Sequence, residues 1–121
     1  TLEAVKNSYN SYTMDSLALA VGEASIRDEA YFRETCRKVA ATRDRAADEL
    51  RALGFEVTPS LANFLFATHP KKAAPEIFSA LREKGIFIRY FKLPRIDNHL
   101  RITVGTDEQM DALIAALKQI L

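Results

Sequence analysis

Residues 100–104 alternate strictly between apolar and polar side chains, and this short segment constrains the fold more than any other part of the sequence. Three apolar residues share one face of the predicted strand: Leu100, Ile102 and Val104. Arg101 and Thr103 lie on the opposite face. Because such a strand buries one face and exposes the other, it belongs to a sheet that is covered on one side and open on the other.

Apolar residues spaced by three and four positions predict one long amphipathic helix over residues 25–53. Its apolar stripe consists of Phe32, Cys36, Val39, Ala46, Leu50 and Leu53. Ser25, followed three residues later by Asp28, predicts the N-cap, and Gly54 predicts the left-handed residue that ends the helix. The helix therefore has a specified beginning and a specified end.

The remaining patterns predict a mixed α+β architecture. An irregular polar lead-in over residues 6–12 and a shorter helix before Gly22 are expected upstream. After Gly54, a short extended piece precedes the order strand, helix, strand, strand, helix. The three strands are predicted over residues 63–68, 86–90 and 100–104, and the closing helix begins with a capping box of Thr106 and Gln109. This order predicts a small, mostly antiparallel sheet covered on one face by helices.

The composition excludes several classes of protein. The 121 residues include 17 Lys and Arg against 16 Asp and Glu, and the net charge of +1 disfavours a nucleic-acid-binding protein. No apolar run approaches the roughly 18 to 20 residues of a membrane span, so no membrane partner is expected. The single cysteine allows no internal disulfide and fits a reducing, cytoplasmic setting.

Three arginines are the candidate functional residues. Arg101 projects from the open face of the sheet, where it either grips a carboxylate or phosphate through two hydrogen bonds or is an ordinary solvent-facing side chain. Arg89 lies on the neighbouring predicted strand, and two arginines on adjacent strands favour an anion site. Arg43 interrupts an apolar stripe, so it either reaches a carboxylate, a carbonyl or another domain, or extends along the edge of the stripe into solvent.

The sequence contains no recognisable catalytic motif and no metal site. His69 and His99 are interpreted as turn residues, since no third histidine or nearby cysteine completes a ligand set. Cys36 is interpreted as a small core residue. Gly-rich phosphate loops and the Gly-x-Ser-x-Gly and His-Glu-x-x-His motifs do not occur.

Four segments resemble one family of enzymes. They are Thr42-Arg43, Pro59-Ser60-Leu61-Ala62-Asn63-Phe64, Gly85-Ile86-Phe87-Ile88-Arg89 and Leu100-Arg101-Ile102-Thr103-Val104-Gly105-Thr106. In these motifs, and over nearly its whole length, the chain resembles the C-terminal small domain of the histidinol-phosphate aminotransferases, which are fold-type I enzymes that depend on pyridoxal phosphate. The resemblance implies that residues 1–24 join a large domain upstream and that residues 25–121 form the small domain.

The resemblance also implies roles for individual residues. Arg101 resembles the arginine that binds the α-carboxylate of glutamate or 2-oxoglutarate, and Arg89 resembles the arginine that helps to hold the phosphate of histidinol phosphate. Asn63 lies in a matching motif, which implies a position on the active-site side. Residues 8–10 lie where relatives carry proline-tyrosine-asparagine, but the proline is absent here. For Arg43, the more specific of the two hypotheses is a contact with another domain.

The implied reaction is amino transfer, in which histidinol phosphate and 2-oxoglutarate become imidazole-acetol phosphate and glutamate, with pyridoxal phosphate as the electron sink. The lysine that holds the cofactor belongs to the large domain of the family. The chain alone is therefore expected to bind no cofactor and to be inactive. The complete enzyme is expected to be a homodimer whose partners are small-molecule substrates, namely an amino acid or 2-oxo acid and a phosphorylated amine.

Two alternatives stay open. Another fold-type I enzyme, such as an aspartate or aromatic aminotransferase or a threonine-phosphate decarboxylase, would keep Arg101 and change what Arg89 meets. A stand-alone domain that binds an amino acid or regulates another protein would use the same two arginines without a reaction.

Overall fold

The computed structural model describes residues 2–8 and 13–121, and within them the chain forms five helices and four short strands. In chain order the elements are α1 (Leu2–Ser8), α2 (Ser16–Arg27), α3 (Glu29–Ala52), β1 (Glu56–Val57), β2 (Phe64–Thr68), α4 (Ala74–Glu83), β3 (Arg89–Tyr90), β4 (Leu100–Thr103) and α5 (Asp107–Ile120). The chain divides into two compact units, Thr1–Glu34 and Thr35–Leu121. All four strands belong to the second unit.

The strands form one antiparallel sheet in the order β1-β2-β4-β3. The register places Phe66 of β2 opposite Arg101 of β4, and Arg89 of β3 opposite the same arginine. The predicted α+β class with a small antiparallel sheet is thereby confirmed. Strands that are distant in sequence meet in the centre, since β2 pairs with β4 across an intervening helix.

Helices α3, α4 and α5 close over one face of this sheet and form the hydrophobic core with it. The largest fully buried side chains are Leu50, Leu65, Ile77, Leu81, Leu100, Ile102, Met110 and Leu117. Each such burial stabilises the fold by about 1.5–3 kcal/mol. The predicted alternation of residues 100–104 is confirmed at its centre, because Leu100 and Ile102 are buried while Arg101 between them is only half-buried.

Helix α5 follows β4 almost directly because its first turn is fully capped. The Thr106 hydroxyl accepts the Gln109 N–H at 3.4 Å, and Gln109 Oε1 accepts the Thr106 N–H at 3.0 Å, which confirms the predicted capping box. Gly105 lies against this box, where a Cβ atom would collide with the Gln109 side chain. The junction of residues 104–106 is therefore tightly specified.

The long helix begins later than predicted. Asp28 separates α2 from α3 and accepts the Tyr31 N–H through its carboxylate at 3.2 Å. Ser25 lies inside α2, where its hydroxyl donates to the Val21 carbonyl at 2.8 Å. The predicted N-cap at Ser25 is therefore wrong, and so is the predicted end of the upstream helix before Gly22, which lies within α2.

The end of the long helix agrees with the prediction, whereas the second predicted strand is too long. Gly54 ends α3 with a φ of 89°. Strand β3 covers Arg89–Tyr90 alone, because residues 86–88 lie outside the sheet ladder and the Ile86 N–H instead bonds to the Leu81 carbonyl at 2.9 Å to close α4.

The first unit is built differently from the second. None of residues 2–8 and 13–34 is buried. Its exposed large apolar side chains are Leu2, Val5, Met14, Leu17, Leu19, Val21, Ile26, Tyr31 and Phe32. The irregular lead-in predicted over residues 6–12 is wrong for residues 6–8, which belong to α1, and residues 9–12 lie outside the described residues.

Cys36 corrects the predicted apolar stripe of the long helix. Its side chain is exposed, so its interpretation as a core residue is wrong. The buried residues of α3 begin only at Thr42, because the core of the second unit contacts the C-terminal half of this helix.

Candidate functional site

The face of the sheet opposite the core carries arginine and aromatic side chains. The outward positions of β2, β3 and β4 are Phe64, Phe66, Thr68, Arg89, Arg101 and Thr103. They are out of phase with the buried strand residues, since successive side chains of a strand point to opposite faces. The structure therefore brings both sequence-predicted arginines, Arg89 and Arg101, to one surface.

Arg89 and Arg101 lie directly opposite each other on adjacent strands. Over residues 2–8 and 13–121, neither guanidinium forms an ion pair with a carboxylate. Like charges in this arrangement destabilise a sheet. A bound anion would relieve the repulsion and accept charge-assisted hydrogen bonds from both side chains. The pair is thus suited to an anionic ligand.

Aromatic rings support both guanidinium groups. The Cζ atom of Arg89 lies 5.3 Å from the centroid of the Phe91 ring, and that of Arg101 lies 5.7 Å from the same ring. Arg101 also lies 5.5 Å from the Phe64 ring. Contacts of this kind contribute about 0.5–1 kcal/mol at exposed sites. These contacts hold both guanidinium groups near the Phe91 ring.

The two arginines differ in how they can approach a ligand. Arg101 is half-buried, and its Nε atom is enclosed without a hydrogen-bond partner, whereas its terminal nitrogens are not enclosed. Arg101 therefore presents its two terminal amino groups end-on, which matches the two oxygens of a carboxylate. Arg89 is exposed at the edge of the sheet and suits a more solvated anion.

Arg43 is 9% exposed and satisfies its guanidinium within the second unit. Its Nε atom donates to the Asp44 carboxylate at 2.9 Å, and its Nη1 atom donates to the Ala62 carbonyl at 3.4 Å. A carboxylate and a carbonyl were two of the three partners that the sequence predicted. The predicted contact with another domain stays a prediction.

Asn63 lies one residue before β2, and its side chain is exposed. Its carbonyl accepts the Val104 N–H at 2.9 Å, which extends the pairing of β2 with β4. The strand alternation puts Asn63 out of phase with Phe64 and Phe66, so no contact of the structure joins it to the arginines. Its role stays a prediction, and the tyrosine and asparagine of the 8–10 motif lie outside the described residues.

Both histidines make ring contacts that the sequence analysis missed. His69 is 9% exposed, lies 5.0 Å from the Phe55 ring in an edge arrangement, and accepts the Lys71 N–H at its Nδ1 atom. His99 stacks on Phe66 with ring centroids 4.7 Å apart and planes inclined by 10°. No local sequence signal places Phe66 on the open face, because residues 64–67 are all apolar.

Asn98 anchors the loop that carries Phe91. Its Oδ1 atom accepts the Ala74 N–H at 2.9 Å, and its Nδ2 atom donates to the Thr68 hydroxyl at 3.1 Å. The first bond satisfies a backbone donor at the start of α4, where the N-cap residue Ala73 offers no side-chain acceptor. The loop is therefore held at its C-terminal end, immediately before β4.

An ionic network on the other side of the sheet fixes the start of α5. The Arg45 guanidinium donates to the carboxylates of Glu49, Asp111 and Asp107 at 2.7, 2.7 and 3.0 Å. The Thr42 hydroxyl also donates to Asp107, at 2.8 Å. The bonds from Arg45 and then from Thr42 hold the pKa of Asp107 below its ordinary value, and the three carboxylates raise the pKa of Arg45.

Other surfaces in the described part of the chain have fewer features that indicate a ligand. An apolar groove of about 540 Å³ lies between residues 85–88, the end of β4 and the start of α5, and neither arginine lines it. Within residues 2–8 and 13–121, no three His, Cys, Asp or Glu side chains are grouped to hold a metal ion. No described helix is both long enough and apolar enough to cross a membrane.

Comparison with known proteins identifies the family. Residues 1–117 match the family model of class I and II aminotransferases. The chain belongs to this family. It is 56% identical over 119 residues to histidinol-phosphate aminotransferase 2 of Dechloromonas aromatica, a match that covers 98% of the chain and 33% of that aminotransferase. It is 54% identical over 119 residues to the histidinol-phosphate aminotransferase of a Marinomonas species, covering 97% of the chain and 34% of that protein.

The aminotransferase fold is also found by structural comparison. The crystal structure of histidinol-phosphate aminotransferase from Sinorhizobium meliloti in complex with pyridoxal 5'-phosphate matches with a TM-score of 0.83 and 30% identity, over 98% of this chain and 33% of that one. The chain therefore spans about a third of the length of the relatives that it matches. The resemblance carried by the sequence motifs is confirmed.

Proposed function

We propose that this chain is the C-terminal small domain of a pyridoxal-phosphate-dependent aminotransferase that acts on histidinol phosphate and 2-oxoglutarate. The observation that carries the proposal is the pair Arg89 and Arg101, which lie opposite each other without a carboxylate partner among the residues that the structure describes. The substrates of this reaction present the two anions that such a pair can bind, a phosphate and a carboxylate. The identity of 56% to a histidinol-phosphate aminotransferase supports this substrate class.

Each candidate residue has a role in this proposal. Arg101 binds the α-carboxylate of glutamate or 2-oxoglutarate, which its end-on geometry and its ring support favour. Arg89 binds the phosphate of histidinol phosphate, where an exposed edge position accommodates a hydrated dianion. Asn63 lies toward the active site. Arg43 contacts the large domain near Ala62, whose carbonyl it already binds.

Pyridoxal phosphate, when bound to the complete enzyme, supplies the electron sink for amino transfer. The residues of this chain fit the substrates better than the cofactor, because the polar outward positions of β2, β3 and β4 hold arginine and threonine and no lysine. We assign the cofactor-binding lysine to the part of the polypeptide upstream of this chain. In this proposal the chain alone is inactive, residues 25–121 form the small domain, residues 1–24 join it to the large domain, and the complete enzyme is a cytoplasmic homodimer.

Two measurements test the proposed function. The first is the intact mass of the native gene product, which we expect to be several times 13.6 kDa. The second is amino transfer by the purified complete protein with histidinol phosphate and with histidinol. We expect the phosphorylated donor to be used at least about tenfold more efficiently, since one charge-assisted hydrogen bond contributes about 1.5–3 kcal/mol.

Each outcome has a definite meaning. A native mass of 13.6 kDa would exclude the enzyme and leave a two-arginine domain that binds an anionic small molecule. A larger polypeptide that uses both donors equally would retain the aminotransferase and exclude the phosphorylated substrate. Activity that requires the phosphate would support both parts of the proposal.

A further inference from the structure

His99 occupies the same side of the sheet as the two arginines. It lies two residues before Arg101 and one residue before β4, and its contact with Phe66, an outward residue of β2, places its ring on the open face. Its ring is stacked on Phe66, and Phe66 is the register partner of Arg101. His99 therefore lies on the same face as Arg101, in contact with the register partner of that arginine, and a ring contact fixes its orientation.

The two nitrogens of His99 have different environments. Its Nδ1 atom is enclosed and has no hydrogen-bond partner, whereas its Nε2 atom is not enclosed. A proton on Nδ1 would be a buried donor without an acceptor, and such orphaned donors are rarer in proteins than under-satisfied acceptors. In the neutral ring, the proton then belongs on Nε2, which makes the accessible nitrogen a hydrogen-bond donor.

His99 and Arg101 share one further property. In the part of the chain that the structure describes, His99 Nδ1 and Arg101 Nε are the buried side-chain nitrogens and oxygens that have no partner. In both residues the nitrogen nearer the backbone, His99 Nδ1 or Arg101 Nε, is buried, while the nitrogens at the end of the side chain are accessible. The outer donors of both side chains are thus presented on the open face of the sheet.

We propose that His99, in its Nε2–H tautomer, is a third hydrogen-bond donor to the substrate carboxylate that Arg101 binds. This inference rests on the proposed function, and it adds a residue that determines selectivity between the two amino donors. Glutamate and 2-oxoglutarate carry the α-carboxylate, whereas histidinol phosphate carries a longer phosphomethyl group in its place, whose phosphate we assign to Arg89. His99 therefore favours the dicarboxylate half of the reaction and leaves the phosphorylated half unaffected.

The test uses the complete enzyme and two substitutions of His99. His99→Phe keeps a planar ring to stack on Phe66 but removes the N–H donor, while His99→Gln restores a donor on a side chain of similar reach. The two half-reactions are measured separately, with glutamate and with histidinol phosphate, together with the inhibition constant of glutarate, a dicarboxylate that does not react. Arg101→Lys, measured in parallel, tests the proposed carboxylate site itself.

We expect His99→Phe to raise the KM for glutamate and the inhibition constant of glutarate by about tenfold. The KM for histidinol phosphate should stay within about twofold. His99→Gln should recover most of the loss in glutamate binding. If His99→Phe lowers both half-reactions equally, or changes neither while Arg101→Lys impairs glutamate, the role of His99 is excluded and the proposed function stands. If Arg101→Lys also leaves glutamate binding unchanged, the carboxylate site itself is excluded.

Discussion

The two faces of one small sheet are used for opposite purposes. The face toward the helices holds Leu65, Leu100 and Ile102, each at most 2% exposed and in contact with apolar neighbours. The other face holds two opposed arginines supported by aromatic rings, without a carboxylate among the described residues to neutralise them. The first face lowers the free energy of the folded state, and the second face carries an unfavourable arrangement that a ligand can improve.

This comparison implies that stability and ligand binding can be changed separately, even at adjacent positions of β4. Neighbouring residues of a strand point to opposite faces. A substitution therefore affects either stability or ligand binding, according to the face on which the residue lies. Ligand binding can therefore be changed without altering the buried face of the sheet. Four substitutions follow in order of the size of the expected effect, and the first three test this separation.

The largest effect is expected on the core face. Ile102→Ala removes a side chain that is 2% exposed and leaves a cavity between the sheet and the helices, so the free energy of unfolding should fall by about 2–5 kcal/mol. Urea denaturation measures the loss. Thr103→Ala is the matched control on the open face, and a change of more than about 0.5 kcal/mol there would contradict the separation.

Arg101→Ala should impair the reaction with glutamate and leave the stability of the fold almost unchanged. We expect the efficiency of the glutamate half-reaction in the complete enzyme to fall between about tenfold and a hundredfold, because a charge-assisted contact to the carboxylate is lost. The free energy of unfolding should change by no more than about 1 kcal/mol, since ring contacts are lost while the repulsion from Arg89 is relieved. Unchanged kinetics with glutamate would remove Arg101 from the site.

Arg89→Ala should have a smaller and more selective effect. Because this side chain is exposed, we expect about a tenfold loss of efficiency with histidinol phosphate and almost none with histidinol. Steady-state kinetics with both donors measure the difference. Arg82→Ala removes an exposed arginine from α4 and serves as the control. If Arg89→Ala lowers the efficiency with histidinol phosphate and with histidinol equally, Arg89 does not bind the phosphate.

The smallest effect is expected at the network that holds α5. The pKa of Asp107 is lowered in the folded state, so this carboxylate contributes stability above its ordinary pKa of 3.8, and that contribution is lost as the pH falls through the lowered folded-state value. Asp107→Asn should therefore weaken the fold slightly at pH 7 and flatten its stability profile in acid. Unfolding measured from pH 2 to pH 7 tests this, with the exposed loop variant Asp97→Asn as the control.

The sequence predicted the parts of the fold that depend on periodicity and on single turn residues. The alternation of residues 100–104, the capping box of Thr106 and the end of α3 at Gly54 are all confirmed. Each of these features is decided within a few residues of chain, so local pattern is sufficient. The position of Arg101 on the open face follows from the same alternation.

The wrong predictions have physical reasons that lie outside local pattern. Cys36 fits an apolar stripe, yet it is exposed because the core meets only the later turns of α3. Ser25 is a good N-cap residue by type, but its hydroxyl bonds within α2 and Asp28 takes the capping position. The stack of His99 on Phe66 joins residues 33 positions apart in the chain, and the pairing of β2 with β4 that creates it is not encoded near either residue.

The junction of residues 104–106 has a consequence for how such domains can vary in length. An α-helix turns by about 100° per residue, so one inserted residue between β4 and α5 would rotate the apolar stripe of the helix away from the sheet. A side chain at Gly105 would also displace Gln109 Oε1 from the capping box that begins α5. Insertions and deletions should therefore accumulate in residues 92–97 of the preceding loop and be absent from this junction. The spacing between Arg101 and the last helix should be constant among functional variants.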